Sequence, residues 1–380
     1  MSNSIERPDR IAVTHDHLDQ YGGAERTLAR ICETFPSAPV HTSVYDRGRM
    51  RSLGFVEPAQ PILVSFMQWL PLRGRVPRYY FTALYPAAFR SFDMRPYDVV
   101  LSSATFAAKA LTLRDDTVHV CYCYTPPRFL WGFDSDTAVR SMPLHERPLA
   151  AVARVALRQV DRRSARRVDV FVASSRVVAE RIRRVYGRSP RVVYPPVDTE
   201  RFVHRVRRDD GFVLAVSRLN AYKRLDHVVA ACTRESIPFV VVGTGPWSDR
   251  LRRIAGPSVR FTGPLPDADV ASLMSSCAAF VLPGEEDFGI AAVEAMAAGA
   301  PVVALRRGGA IETVVDGVTG VLYDDPSPDG FAEALGRLRR RRWDPDAARS
   351  RAALFDRSRF RDGLADVVAA AATTGRSRIN

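Results

Sequence analysis

The feature that most constrains the fold is an alternation that runs through the chain twice. Short β-branched runs are each followed by a stretch with helical apolar spacing. "RIAVTHD" (Arg10–Asp16) reads as a strand, followed by a Gly-containing turn and a helix from about Ala24 to Phe35. "YDVVLSS" (Tyr97–Ser103), "HVCYCY" (His119–Tyr124), "VDVFVASS" (Val168–Ser175) and "RVVYPPV" (Arg191–Val197) continue the series. The pattern restarts at "GFVLAVSRL" (Gly211–Leu219). It runs on through "FVVVGTG" (Phe239–Gly245), "VRFTG" (Val259–Gly263), "AFVLPG" (Ala279–Gly284), "PVVAL" (Pro301–Leu305) and "TGVLY" (Thr319–Tyr323). Such alternation predicts an α/β chain built on parallel, doubly wound sheets. At 380 residues the chain is too long for one core, so two Rossmann-like domains are expected, meeting near Pro195–Asp210. Ligands of such sheets lie outside the carboxyl ends of the strands, and the cleft between two tandem sheets is the default site.

Composition narrows the class. Apolar residues make up 46% and charged residues 26%, as in soluble globular proteins. No apolar run reaches the roughly 18–20 residues that span a bilayer. The polar start, with Glu6 and Asp9, does not read as a signal peptide. Five scattered cysteines, Cys32, Cys121, Cys123, Cys232 and Cys277, read as reduced core hydrophobes of a cytoplasmic protein. The net charge is +13. Residues 1–200 hold 29 basic against 20 acidic side chains, so the first half is expected to face something anionic.

Candidate chemistry concentrates at strand ends in the second half. Glu286 follows a strand, Phe288-Gly289 turns the chain, and Ile290–Ala298 forms a helix that carries Glu294 and stops at Gly299. The helix start offers free N–H groups suited to a phosphate. A carboxylate accepts two hydrogen bonds at once, which suits a sugar or ribose diol. Acidic residues near a helix start are also favoured without any ligand, and spacing alone does not separate the two readings. Arg218 and Lys223 end another strand. Lys109 and Lys223 are the only lysines, against 53 arginines. A compact charge at Lys223 beside Arg218 suits a diphosphate leaving group. Gly243, Gly245, Gly308 and Gly309 allow close backbone approach to a ligand.

Taken in order, "SRLNAYKRLD", "VVGTGP", "EEDFGIAAVEAMAAGAPVVA" and "GGAIETVVDGVTG" resemble the donor-binding domain of retaining GT-B glycosyltransferases of family 4, with the E-x7-E pair at Glu286 and Glu294. "HDHLDQYGGAERTLARI" resembles that family's first strand, Gly-Gly loop and helix, and the likeness runs from about Arg10 to Val367. It is closest to a mannosyltransferase-like branch. The resemblance implies a GT-B fold, two Rossmann-like domains facing across a cleft. An acceptor-side domain would span 1–200 and a nucleotide-sugar domain 201–358, with a closing helix at 359–380 packed back on the first. It implies that Arg218 and Lys223 hold the diphosphate, Glu286 the transferred sugar and Glu294 the ribose. Gly22 and Gly23 would let the first loop approach donor phosphates and acceptor. Gly243, Phe288, Gly289 and Ile290 would complete the donor site. The reaction would move a hexose, mannose from GDP-mannose above others, to a glycan or lipid-linked acceptor with retention. No metal and no further cofactor is implied.

The chain departs from the pattern at Tyr124 and Thr105, where relatives usually carry histidine, and this bears on the sugar. Asp16, His17, Tyr124 and Lys109 are assigned to the sugar or acceptor pocket, with a strand-end cap and a surface histidine the bland alternatives for the first two. The triplets Asp134–Asp136, Asp267–Asp269 and Asp344–Asp346 read as turns, and Arg337–Arg342 as a solvated helix end. Competing readings are a GT-B sugar-nucleotide epimerase, a catalytically altered homologue and a basic nucleic-acid-binding protein. The last gives Glu286 no use and is disfavoured. Residues 154–191 carry 12 arginines, and the stretch Trp69–Arg90 mixes aromatics with arginines, a composition that suits an anionic membrane surface.

Overall fold

The computed structural model describes residues 10–71, 78–133, 147–203 and 205–376. They fall into two units, Met1–Tyr194 together with Phe360–Asn380, and Pro195–Arg359. In the first unit seven parallel strands are β1 (Ile11–His15), β2 (Val40–Thr42), β3 (Ile62–Val64), β4 (Val99–Ala104), β5 (Val118–Cys123), β6 (Val170–Ala173) and β7 (Arg191–Val192). Their order is β3-β2-β1-β4-β5-β6-β7. Every residue of β1, β4 and β5 is buried, because a parallel sheet is covered on both faces. This is why these segments are largely apolar, with Thr14, His15, Ser102, Ser103 and His119 buried as polar exceptions. β7 is shorter than the sequence predicts, since Pro195 and Pro196 cannot donate to a ladder.

The second unit holds β8 (Val213–Val216), β9 (Phe239–Val242), β10 (Val259–Gly263), β11 (Ala279–Leu282), β12 (Val302–Leu305) and β13 (Gly320–Tyr323). They lie in the order β10-β9-β8-β11-β12-β13, all parallel. In both sheets the order reverses at one place, between β1 and β4 and between β8 and β11. The loops leaving the carboxyl ends of those neighbours diverge there and leave a crevice.

Helix ends follow local chemistry. Ser175 caps the helix Arg176–Tyr186 by accepting from the Val178 N–H, and Gly187 ends it at φ 66°. Phe360, Leu364, Val367, Val368 and Ala371 of the last helix, Arg357–Arg376, join the first unit's core with Val13, Leu101 and Tyr122. The unit boundary falls at Tyr194–Pro195, before the sequence-based position at residue 200. The reason is local: Val197 N–H donates to Phe355 O at 3.0 Å and Thr199 Oγ1 to Asp356 at 2.6 Å. Two of the Asp triplets mark helix starts: Asp267 opens Asp267–Ser276, and Asp344 caps Pro345–Ala353. Asp134–Asp136 lies outside the described residues.

All five cysteines are free and buried, Cys32, Cys121 and Cys123 in the first unit and Cys232 and Cys277 in the second. Burial pushes the thiols of Cys32, Cys121, Cys232 and Cys277 up to about 12.

Two histidines of the first sheet are buried as neutral rings. Burial pushes His41 down to about 4, and burial with the nearby Lys109 charge pushes His119 down to about 4. The folded values lie below the unfolded value near 6.5, so the neutral form is the one that folds. Their contribution is complete above about pH 6.5 and is lost as pH falls towards 4, on the order of 2–3 kcal/mol each. We expect the melting temperature to drop steadily between pH 7 and 4.5, and His41→Leu to flatten that slope. An unchanged slope in thermal melts of the variant would refute the assignment for His41.

Candidate functional site

In the second unit the switch between β8 and β11 gathers the sequence-predicted charges. β8 runs into Ser217–Asn220 and a single 3-10 turn, Ala221–Lys223. Arg224 then takes a left-handed conformation (φ 54°) and starts the helix Leu225–Arg234. β11 leads into the loop 283–289, and Gly289 at φ 90° begins the helix Ile290–Ala297. β8 and β11 are adjacent, with Ala279 opposite Val213, so the two loops leave the sheet side by side. Lys223 Nζ donates to Glu286 Oε1 across the switch, each side chain 15% exposed. Burial pulls the Lys223 ammonium down, but Glu286 and Tyr222 beside it outweigh this and hold it above its usual value. Arg218 stands exposed on the same β8 loop.

Glu294 is the polar residue in a helix whose remaining described faces are Ala, Val, Met and Ile, and it is only 7% exposed. Its Oε1 lies 3.4 Å from Arg201 Nη1. Arg201 also donates to Asp267 O at 3.0 Å.

The glycines bring the chain close to itself. A Cβ on Gly284 would lie 2.5 Å from Tyr222 O, on Gly308 2.2 Å from Glu286 O, and on Gly309 2.3 Å from Phe288 Cα. On Gly243 and Gly245 it would lie 2.0 Å from Ser217 O and 2.5 Å from Leu219 O. Backbone packs on backbone here, so these glycines let the loops carrying Arg218, Lys223 and Glu286 touch one another. Phe288 is likewise turned inward, edge-on to Phe355 at 5.3 Å, and fixes its loop from below. Ile290, half-buried, is the first residue of the helix.

The first unit's switch is filled differently. Asp16, just after β1, accepts from the N–H groups of Thr105, Phe106, Ala107 and Ala108 at 2.6, 3.0, 2.8 and 2.8 Å. Burial pushes this carboxyl up, but His17 and the four N–H donors outweigh it and hold it below the usual range. Asp16 is therefore a cap for the loop after β4, with its lone pairs already used, and it is withdrawn from the acceptor pocket. Thr105 enters through its backbone. His17 is half-buried, its Nε2 3.9 Å from Asp19 and its ring edge-on to Tyr85 at 6.3 Å. Gly22 is the cap residue, and Gly23 the first residue, of the helix Gly23–Thr34, which has no side-chain cap.

Lys109 is also withdrawn from the pocket. Its side chain is fully sealed, with Nζ 2.7 Å from Asp161 Oδ1 and 2.6 Å from Phe106 O. Asp161 accepts in addition from Trp131 Nε1 and Tyr186 Oη, both at 2.8 Å. Tyr124 turns its hydroxyl away from solvent, to Ser103 Oγ at 2.8 Å and Ala24 O at 2.9 Å. A cavity of about 380 Å³ lies at the other end of this sheet, lined by Asp115, Asp116, Asp169, Arg191 and Thr374. Among the described residues no group of three His, Cys, Asp or Glu side chains converges as a metal site.

Two family models match the chain in succession: Glycosyltransferase Family 4 over residues 21–201 and Glycosyl transferases group 1 over residues 196–353. This chain belongs to the GT-B glycosyltransferases of family 4. It is 33% identical over 218 residues to a GDP-mannose-dependent alpha-(1-6)-phosphatidylinositol monomannoside mannosyltransferase of Mycolicibacterium smegmatis, covering 49% of this chain and 56% of that one. It is 33% identical over 234 residues to a D-inositol 3-phosphate glycosyltransferase of Acidothermus cellulolyticus, covering 50% and 52%. The chain thus spans about half the length of the curated relatives it matches. Among solved structures, Anabaena Alr3699/HepE in complex with UDP and glucose superposes with a TM-score of 0.64 at 20% identity, covering 94% of this chain and 98% of that one. Both sheets are those of the GT-B fold.

Sequence reasoning missed three residues of this family member. Arg201 sits in the segment read as a linker, and Asp161 in a helix read as a basic face. Glu25, 2% exposed, follows the Gly-Gly pair unremarked. For Arg201 and Asp161 the only sequence signal is a lone opposite charge far along the chain. Breaking a sealed ion pair costs about 3–5 kcal/mol, because the partner stays buried and charged. Lys109→Met should therefore lower the urea midpoint strongly, and Lys109→Met with Asp161→Leu should recover part of the loss. If the single variant unfolds at the wild-type urea concentration, the pair has no such role.

Proposed function

We propose that the chain is a retaining hexosyltransferase that moves mannose from GDP-mannose to a hydroxyl of a glycan or lipid-linked acceptor. The observation that carries this reading is the Lys223–Glu286 pair at the β8/β11 switch, with Arg218 on the same loop. A cation held on a carboxylate, with a second cation on the same loop, suits a sugar diphosphate: charge for the departing oxygen, acceptor lone pairs for the sugar hydroxyls. Glu286 uses Oε1 on Lys223, which leaves Oε2 for the sugar. Glu294, held by Arg201, is the candidate for the ribose diol. In the transfer the anomeric carbon–oxygen bond to the diphosphate breaks and a bond to the acceptor oxygen forms on the same face. The leaving diphosphate takes up the acceptor proton. In this reading Arg218 and Lys223 supply the positive charge that neutralises the departing diphosphate. The choice of mannose rests on the GDP-mannose-dependent relative.

A ligand that binds the folded form raises the melting temperature by mass action. We expect GDP-mannose to do so more than UDP-glucose, UDP-N-acetylglucosamine or dTDP-rhamnose, and Glu294→Ala to abolish the shift. Lys223→Ala should lower transfer roughly 100-fold or more with the fold intact. A wild-type protein that no nucleotide-sugar stabilises would sink the reading.

The reading includes contact with an anionic membrane on its cytosolic face. Trp69 is 80% exposed, and Val152 and Val155 are 69% and 59% exposed on the helix Arg147–Arg166. Arg163 and Arg166 are exposed at helical spacing from them. The arginine count overstates this face. Arg158 donates to Leu130 O, Arg158 and Arg162 lie over Trp131, and Arg181 is buried against Thr125. Among the described residues no helix is long and apolar enough to cross a membrane. Sedimentation with phosphatidylserine vesicles should occur at low salt, fade at high salt and weaken in Val155→Asp. Absence of binding at low salt would remove the membrane from the proposal.

A further inference from the structure

At the carboxyl end of the first sheet the polar contacts close into a ring. His15 ends β1, Ser103 lies opposite it on β4, and Tyr124 follows β5. His15 Nδ1 is 3.0 Å from Ser103 Oγ, and Ser103 Oγ is 2.8 Å from Tyr124 Oη. Tyr124 Oη is 2.9 Å from Ala24 O, and Glu25, the next residue along the chain, has Oε1 3.9 Å from His15 Nε2. His15 and Glu25 are each 2% exposed.

The proton order of this ring follows from what each atom can do. A backbone carbonyl only accepts, so the Tyr124 O–H must point at Ala24 O. Tyr124 oxygen then accepts from the Ser103 hydroxyl, and Ser103 accepts from His15 Nδ1–H. His15 Nε2 then faces the Glu25 carboxylate, an approach that is favourable with a proton on Nε2 as well. Burial pushes the Tyr124 phenol well up, with the Glu25 charge adding, so it keeps the proton the ring needs. Burial also pushes the Glu25 carboxyl up, but His15 and His17 outweigh this and hold it below its usual value.

We propose that Tyr124 is a positioning residue whose hydroxyl fixes the first turn of the helix Gly23–Thr34, and with it the Gly22–Gly23 loop, relative to the ends of β1, β4 and β5. The helix start has no side-chain cap of its own, and a Gly-Gly pair is free of the backbone restriction a Cβ imposes, so the Tyr124 hydroxyl on Ala24 O is a side-chain tie placed directly on this turn. A residue without a hydroxyl at this position opens the ring at two contacts. The part that concerns catalysis rests on the proposed transferase reading, in which this loop meets the substrates.

The test is Tyr124→Phe, with Ser103→Ala as the second variant that opens the same ring. Amide hydrogen exchange needs no substrate. Exchange at residues 23–27 should rise at least tenfold in both variants, with residues of the second unit unchanged. No change at 23–27 overturns the proposal. In transfer assays kcat/KM should fall at least tenfold in each, with the two losses less than multiplicative in the double variant. The Kd for the free nucleoside diphosphate should stay within twofold of wild type. A lower melting temperature with kcat/KM within twofold of wild type would make the ring merely structural and overturn the positioning role. If wild type transfers nothing, the transferase reading fails, and the exchange result still decides whether Tyr124 fixes the loop.

Discussion

One carboxylate and four backbone N–H groups hold the carboxyl end of the first sheet together. Where the strand order of a parallel sheet reverses, neighbouring loops diverge and strip their own N–H groups of ladder partners. Asp16 supplies the missing acceptor for Thr105–Ala108. That single contact sets the turn after β4, which carries Lys109 inward to Asp161, which in turn gathers Trp131 and Tyr186. The second sheet reverses in the same way but closes its gap with Lys223 and Glu286, side chains that still reach solvent. Equivalent places in two like sheets are thus used for opposite ends. One is spent on order, and the other leaves charge at the surface of the crevice.

The second unit reaches that state by thinning its backbone. Three loops converge around Glu286, and their closest backbone contacts fall on glycines, because even one methyl group would overlap a neighbouring carbonyl or Cα. The close approach brings the loops together backbone to backbone and leaves the crevice to Lys223 and Glu286. Rigid placement of charge is what a site of this kind requires, since donors aimed beforehand need no reorganisation during reaction.

Much of this architecture could be read from the sequence, and the reason is burial. A strand covered on both faces is apolar at most positions, so β1, β4, β5, β8, β9 and β11–β13 announce themselves, and their ends locate the candidate loops. Glu286, Lys223 and Arg218 were legible as candidates because they stand in the loops that such runs lead into. Direction was not legible. Nothing local to Lys109 tells that it points into the core, since its partner lies 52 residues away in Asp161. Tyr124 sits in a recognisable strand-end position, yet which way its hydroxyl turns depends on Ala24, on a different element. Gly243 and Gly309 signalled a close approach, and in the structure they lie against Ser217 and Phe288.

The cysteines carry a consequence of another sort. Each thiol is buried, and burial holds four of them far from their reactive, ionised form. Three belong to the first unit and two to the second. An alkylating reagent therefore meets no ready target on the folded protein and gains one only when a unit opens. Mass spectrometry of the modified peptides would time the opening of the two units separately, so the chain carries its own internal clock for how independently its halves unfold.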